Sequence, residues 1–182
     1  MKDLILRSLK GDSEAYTCLI EQIQDELYRI ALSQLDNIDD INDAIQETII
    51  HSYNKLYTLK NYDYFKTWII RILINECHTI YRKNIKQKKL LNKIENSNNN
   101  YINFQNDFAN RENDIDFNLL LKSLKPDDRL ILTLYYKNNY STTEIANILN
   151  KNVNTIKSKI VRAKSKLKQL YDEGGINYEI NK

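Results

Sequence analysis

Proline occurs once in this chain of 182 residues and glycine three times. Sheet-rich folds with many tight turns draw heavily on both residues, so such a fold is excluded and helices are expected. Cysteine occurs twice, as Cys18 and Cys77. A disulfide framework normally has more cysteines at tighter spacing, and a zinc site needs about four ligands. Both cysteines lie in apolar-periodic stretches and are expected to be reduced, buried thiols. Two histidines, His51 and His78, offer no metal spacing. No glycine-rich phosphate loop is present, and no Ser/His/Asp or Cys/His arrangement can be placed. Cys77 and His78 are adjacent, and on a helix their side chains point about 100° apart, unsuited to a catalytic pair. Catalysis, a metal, a cofactor and a small-molecule substrate are therefore not expected. No apolar run reaches the ~18 residues of a membrane span. The opening "MKDLILRSLKGD" mixes charge into its apolar residues, unlike a secretion signal, and a cytoplasmic location is expected.

Enough apolar residue remains, 42% with 28% charged, to form a core in one medium domain or two small ones. Helical periodicity runs through residues 1–91. Gly11 ends a first short helix. Asp12 caps a second, with Ala15, Leu19, Ile23, Leu27 and Ile30 as its apolar stripe. Asp39 or Asp40 is expected to cap a third helix with Ile41, Ile45 and Ile49 inward, and a fourth starts near "YFKTWIIRILINECHTIYRK". Residues 92–112 are rich in Asn and poor in aliphatics. Such a segment buries too little apolar surface to offset its ordering entropy and is expected to be a flexible linker. Helical pattern resumes over residues 113–172, with a break at Pro126, and residues 173–182 form a tail. The expected fold is all-α: two small helical domains joined by a linker.

Near the C-terminus, "STTEIANIL" reads as a helix capped by Ser141 or Thr142, with Glu144 completing a capping box. "NKN" is a turn in which Asn150 takes the left-handed conformation, and a second helix begins near Val153. This is the helix-turn-helix pattern. On the second helix Val153, Ile156, Ile160, Ala163 and Leu167 share one side, and Ala146 is small enough for a close crossing. The opposite side centres on Asn154, Thr155, Ser158 and Arg162, with Lys157 and Lys159 flanking and Lys166 further along. Short polar groups and one arginine suit base edges; lysines at the rim suit phosphates. A merely solvated helix interleaves acids at i,i+4. Here six basic residues lie between Lys157 and Lys168 without one acid.

A second basic stripe lies in the front half. Asn75, Thr79, Arg82, Lys86 and Lys89 keep to one face of the fourth helix, while Phe65, Ile69, Ile72 and Leu73 make core. Just before it, "LYTLKNYDYFKTW" sets Tyr57, Tyr62, Tyr64, Phe65 and Trp68 among lysines, with Tyr62 and Tyr64 expected to be exposed. Flat rings that accept unstacked bases, beside cations that follow a backbone, are what a single-strand binder uses.

Taken in order, these segments resemble the extracytoplasmic-function class of bacterial RNA polymerase sigma factors, of the sigma-70 family. "LKGDSEAY" resembles the family's start. "DINDAIQETI" resembles its D-x-x-Q-E segment, through Asp43, Gln46 and Glu47. "FKTWIIRILINECHTIYRK" resembles the F-x-x-W stretch, through Phe65, Trp68, Asn75 and Arg82. "LKPDDRLILTLYY" and "STTEIANILNKNVNTIKSKIVRA" resemble the lead-in and helix-turn-helix of the C-terminal region, the lead-in through Leu124, Pro126 and Arg129. The chain departs from the pattern at Thr79, where the family has Asp, at Asn150 and Asn154, which replace glycines, and at Lys159, which replaces Arg. Lys125 separates Leu124 from Pro126.

The resemblance implies no enzyme but an initiation subunit with core RNA polymerase (clamp coiled coil and flap), promoter DNA and an anti-sigma factor as partners. Asp43, Gln46 and Glu47 would bind the clamp. Tyr62, Tyr64, Asn75, Thr79, Arg82 and Lys86 would open and hold the minus-ten element. Asn154, Thr155, Lys157, Ser158, Lys159, Arg162 and Lys166 would read the minus-thirty-five element. The rival is a dimeric helix-turn-helix regulator that never binds polymerase. It accounts for residues 141–168 equally well but leaves the basic, aromatic surface at 57–89 without a use.

Overall fold

A computed structural model describes residues 1–94 and 121–174, with side chains described through residues 90 and 169. Regular structure among these residues is helical throughout. The chain divides into two compact units, Met1–Phe104 and Gln105–Lys182. Most of the expected linker at 92–112, and all of the tail but its first two residues, lie outside the described residues.

In the first unit, α1 (Lys2–Ser8) leads through Gly11, at φ +92°, to α2 (Ser13–Glu21). The Asp12 carboxylate accepts from Ala15 N at 2.9 Å and pairs with Arg7 at 2.8 Å, closing this corner. The cap's backbone bond to Ala15 and the Arg7 bond together hold the Asp12 pKa below its ordinary value. The stripe expected on one helix is divided: α2 stops at Glu21 and α3 (Gln24–Gln34) begins after Ile23, whose ψ of 0° leaves the helical ladder. Ala15, Leu19, Ile23, Leu27 and Ile30 are nonetheless all buried, because a bend of the axis preserves the apolar side.

The next helix, α4 (Ile38–Lys55), is capped by Asn37, whose side chain accepts from Asp39 N at 2.8 Å; neither Asp39 nor Asp40 is the cap. Its inward face also differs from the one expected. Ile41 is buried, but Ala44, Thr48 and Ser52 follow it inward, while Ile45 and Ile49 are only half-buried. Small residues let α4 lie close against α5 (Phe65–Ile94). Their hydroxyls are satisfied at once: Thr48 donates to the Ala44 carbonyl and Ser52 to the Thr48 carbonyl, both at 2.6 Å. Tyr16 from α2 completes this chain, its hydroxyl 2.9 Å from the Ile49 carbonyl and 2.6 Å from Ser52 Oγ. Burial pushes the phenol pKa up.

Cys77 on α5 is buried, and that burial pushes its thiol up to about 12. Cys18 is exposed, contrary to expectation, because Ala15, Tyr16, Leu19 and Ile20 claim the inward side of α2. Native protein treated with iodoacetamide near pH 8 is therefore expected to take one label, on Cys18, and a second only in denaturant. Peptide mass spectrometry reads this directly; prompt native labelling of Cys77 would contradict the packing.

The second unit holds α6 (Pro126–Leu132), α7 (Thr142–Leu149) and α8 (Val153–Gly174). Pro126 occupies the first turn of α6, where its missing N–H costs nothing, and Lys125 before it is extended. A wide π turn over Thr133–Lys137 follows α6, closed by Asn138 N on the Thr133 carbonyl at 3.1 Å. Ile131, Leu132, Leu134, Ile145, Ile148, Ile156 and Ala163 form the core.

Candidate nucleic-acid interface

Ser141 and Glu144 form the capping box expected at the start of α7. Glu144 N reaches Ser141 Oγ at 3.2 Å, and the Glu144 carboxylate accepts from Ser141 N at 2.9 Å. The Ser141 side chain, then its backbone, hold the Glu144 carboxyl below its ordinary pKa. Asn150 closes α7 in the left-handed region at φ 49°, and Lys151 N returns to the Ala146 carbonyl at 2.9 Å. Asn152 caps α8 by accepting from Asn154 N at 2.8 Å. Ser141→Ala is expected to destabilise this unit by about 1 kcal/mol in chemical denaturation followed by circular dichroism. Because the Glu144 pKa is depressed on folding, the box stabilises above the unfolded carboxylate pKa and is lost as pH falls through the folded one. The difference between wild type and Ser141→Ala should therefore shrink in acid.

With α7 and the turn fixed, the faces of α8 follow. Ile156, Ile160, Ala163 and Leu167 are buried against the rest of the unit, as is Ala146 at the crossing; Val153 is half-buried. Asn154, Thr155, Lys157, Ser158, Arg162 and Lys166 are all exposed. Ser158 donates to the Asn154 carbonyl at 2.6 Å, so toward a ligand its hydroxyl offers acceptor lone pairs. Arg162 donates through Nε to the Ser158 carbonyl at 3.2 Å, which fixes the side chain along the helix and spends a donor separate from its Nη hydrogens. Lys159 is the exception on this face. It is half-buried, and its Nζ lies 3.2 Å from Asp127 Oδ2 and 3.9 Å from Asp128 Oδ1.

In the first unit, α5 carries Asn75, Thr79, Arg82, Lys86 and Lys89 on an exposed ridge. Thr79, which stands where the related pattern has Asp, donates back to the Asn75 carbonyl at 2.9 Å. Phe65, Ile69 and Leu73 are buried as expected; Ile72 and Trp68 are half-buried. Two short 3₁₀ turns, Leu56–Thr58 and Tyr62–Tyr64, lead into this helix. Leu56 and Leu59 anchor the segment in the core, and Asn61 pins the second turn by accepting from Asp63 N at 3.0 Å. Tyr64 is 59% exposed and Tyr57 78%, whereas Tyr62 is half-buried rather than exposed. Tyr57 is thus the most open ring of the segment. The Leu56-x-x-Leu59 spacing turns it outward, a signal available in the sequence.

Asp43, Gln46 and Glu47 share an exposed face of α4. Glu47 lies 3.8 Å from His51 Nε2, and His51 Nδ1 is 2.9 Å from Glu76 on α5. Asn84 of α5 donates to Asp40 at 2.7 Å. The acidic face of α4 is thereby tied to α5 at two points about eight residues apart on α5. No described helix is long and apolar enough to cross a membrane.

Comparison with known proteins matches the same two units. The profile of Sigma-70 region 2 matches residues 19–86, and that of Sigma-70, region 4 matches residues 116–167. RNA polymerase sigma factor SigV of Bacillus subtilis is 30% identical over 148 residues, covering 81% of this chain and 84% of that protein. ECF RNA polymerase sigma factor SigW of the same organism is 28% identical over 182 residues, covering 94% and 97%. Among solved structures, the sigma factor RpoE of Bartonella quintana in complex with the anti-sigma factor NepR aligns at TM-score 0.70 and 22% identity, covering 86% of this chain and 96% of that one. CnrH, solved with the cytosolic domain of CnrY, aligns at TM-score 0.69 and 21% identity, covering 93% and 96%. These two show the likeness of fold. The profiles match in the order in which the basic, aromatic unit and the helix-turn-helix unit occur, and the chain belongs to the extracytoplasmic-function class of the sigma-70 family of RNA polymerase sigma factors.

Proposed function

We propose a division of labour for this sigma factor in which each unit carries its own nucleic-acid surface. As a sigma factor the chain directs RNA polymerase to promoters. The front unit, residues 1–91, docks on the clamp coiled coil of core polymerase through Asp43, Gln46 and Glu47. It opens and holds the non-template strand of the minus-ten element with Tyr62, Tyr64, Asn75, Thr79, Arg82 and Lys86, to which the exposure of Tyr57 adds a stacking ring. Residues 113–172, carried near the polymerase flap, read the minus-thirty-five element in the major groove through Asn154, Thr155, Ser158 and Arg162, with Lys157 and Lys166 on phosphates. Residues 92–112 join the two along the chain. The protein acts in the cytoplasm as a binding subunit, not as an enzyme, and an anti-sigma factor is its regulatory partner. The observation that carries this reading is the exposure of both polar, basic faces while the apolar sides of the same helices are buried.

Glu47→Lys tests the polymerase contact. Glu47 is exposed, so the variant should keep the wild-type circular dichroism spectrum and melting point. Reversing a charge on a complementary surface should weaken binding to purified core polymerase by about tenfold or more, read by titration of labelled protein. Unaltered core affinity would remove α4 from the clamp contact.

A further inference from the structure

The Lys159 ammonium is not presented with the rest of its helix. It lies about 100° round α8 from Ser158, on the side that packs against α6. There it meets Asp127 at 3.2 Å and Asp128 at 3.9 Å, and its side chain is only 22% exposed. Asp127 also receives Lys151 from the helix-turn-helix turn, at 3.5 Å. One carboxylate from the first turn of α6 therefore holds two lysines, one in the turn before α8 and one in the second turn of α8 itself. Burial acts to raise the Asp127 pKa, but the hydrogen bond and charge of Lys159, then those of Lys151, outweigh it and leave the carboxyl below its ordinary value. It stays charged at neutral pH.

We propose that Asp127 is a specificity-determining residue, a carboxylate that takes the place of a DNA phosphate for Lys159 and Lys151 and so withholds both lysines from promoter DNA. The proposal rests on the assignment of α8 to the minus-thirty-five element. An isolated surface ion pair contributes little to stability. Asp127 acts here through charge. Each lysine that neutralises a phosphate releases counterions and adds sequence-independent affinity. Lysines that sit on Asp127 add none, so the affinity of α8 depends more on Asn154, Thr155, Ser158 and Arg162, which face base edges.

The test uses the full chain and a random-sequence duplex of about 30 base pairs, with affinity measured by fluorescence anisotropy across a potassium chloride series. Asp127→Asn should tighten binding by roughly fivefold near 0.1 M salt and steepen the log–log salt slope by about 0.9 for each lysine released. Lys159→Ala alone should leave the slope unaltered. In the Asp127→Asn background the same change should flatten it by about 0.9, and this coupling separates the clasp from simple loss of a negative charge. A flatter slope for Lys159→Ala with Asp127 intact would overturn the clasp, because Lys159 would then already be on a phosphate. Lys157→Ala should flatten the slope in both backgrounds. If it does so in neither, α8 is not the DNA surface, and the underlying assignment falls together with the clasp. Asp127 is exposed at a helix start, so its amide variant should fold; equal circular dichroism spectra check this, and the Lys159→Ala arm stands without it.

Discussion

Phe65→Ala is expected to unfold the front unit at markedly lower denaturant. The Phe65 ring is fully buried at the head of α5, tilted against Trp68 with centroids 6.0 Å apart. Truncating it removes apolar burial and leaves a cavity beneath the 3₁₀ segment that carries Tyr57 and Tyr64. Such changes cost about 3–5 kcal/mol, a large share of the stability of a small domain. Trp68 is the only tryptophan in the chain and lies in this unit, so its fluorescence reports the front unit alone. The urea midpoint by tryptophan emission should fall by about 1–3 M. A shift under about 0.5 M would mean that Phe65 does not hold the segment in place.

The second large effect is on recognition. Arg162→Ala should weaken binding to a promoter carrying the minus-thirty-five element by about 1–3 kcal/mol, or roughly 5- to 150-fold, if the guanidinium reads a base. Arg162 is exposed and bonded to its own helix only through Nε, so folding should not change. Base reading has a second mark: the variant should lose discrimination at one promoter position and keep it at the others. A small loss, uniform across sequences, would reassign Arg162 to a phosphate.

The capping box at Ser141, the left-handed Asn150 and the apolar spacing of α8 could be read from the chain because each is a local device. A cap binds within three residues, a turn needs a residue tolerant of positive φ, and one helix face repeats every 3.6 residues. The same reasoning found the ridge on α5. What it missed depends on neighbours distant in sequence. Cys18 faces out because four other α2 residues fill the core. Ile45 and Ile49 give way to Ala44, Thr48 and Ser52 because α5 approaches too closely for larger side chains. Asn37 displaced Asp39 as the cap, a competition between neighbouring capping residues that spacing alone does not decide. The turn of Lys159 toward Asp127 spans 32 residues and cannot be seen on a wheel of α8 alone.

Run-off transcription on a library of AT-rich genomic fragments, with purified core polymerase and with or without this protein, tests the central claim most directly. Two separate DNA surfaces on a polymerase-bound subunit predict new transcripts only when both proteins are present. Their start sites should follow two unlike elements about two helical turns apart. Core-independent binding at palindromic sites, with no added transcripts, would instead make the chain a dimeric regulator and contradict the account.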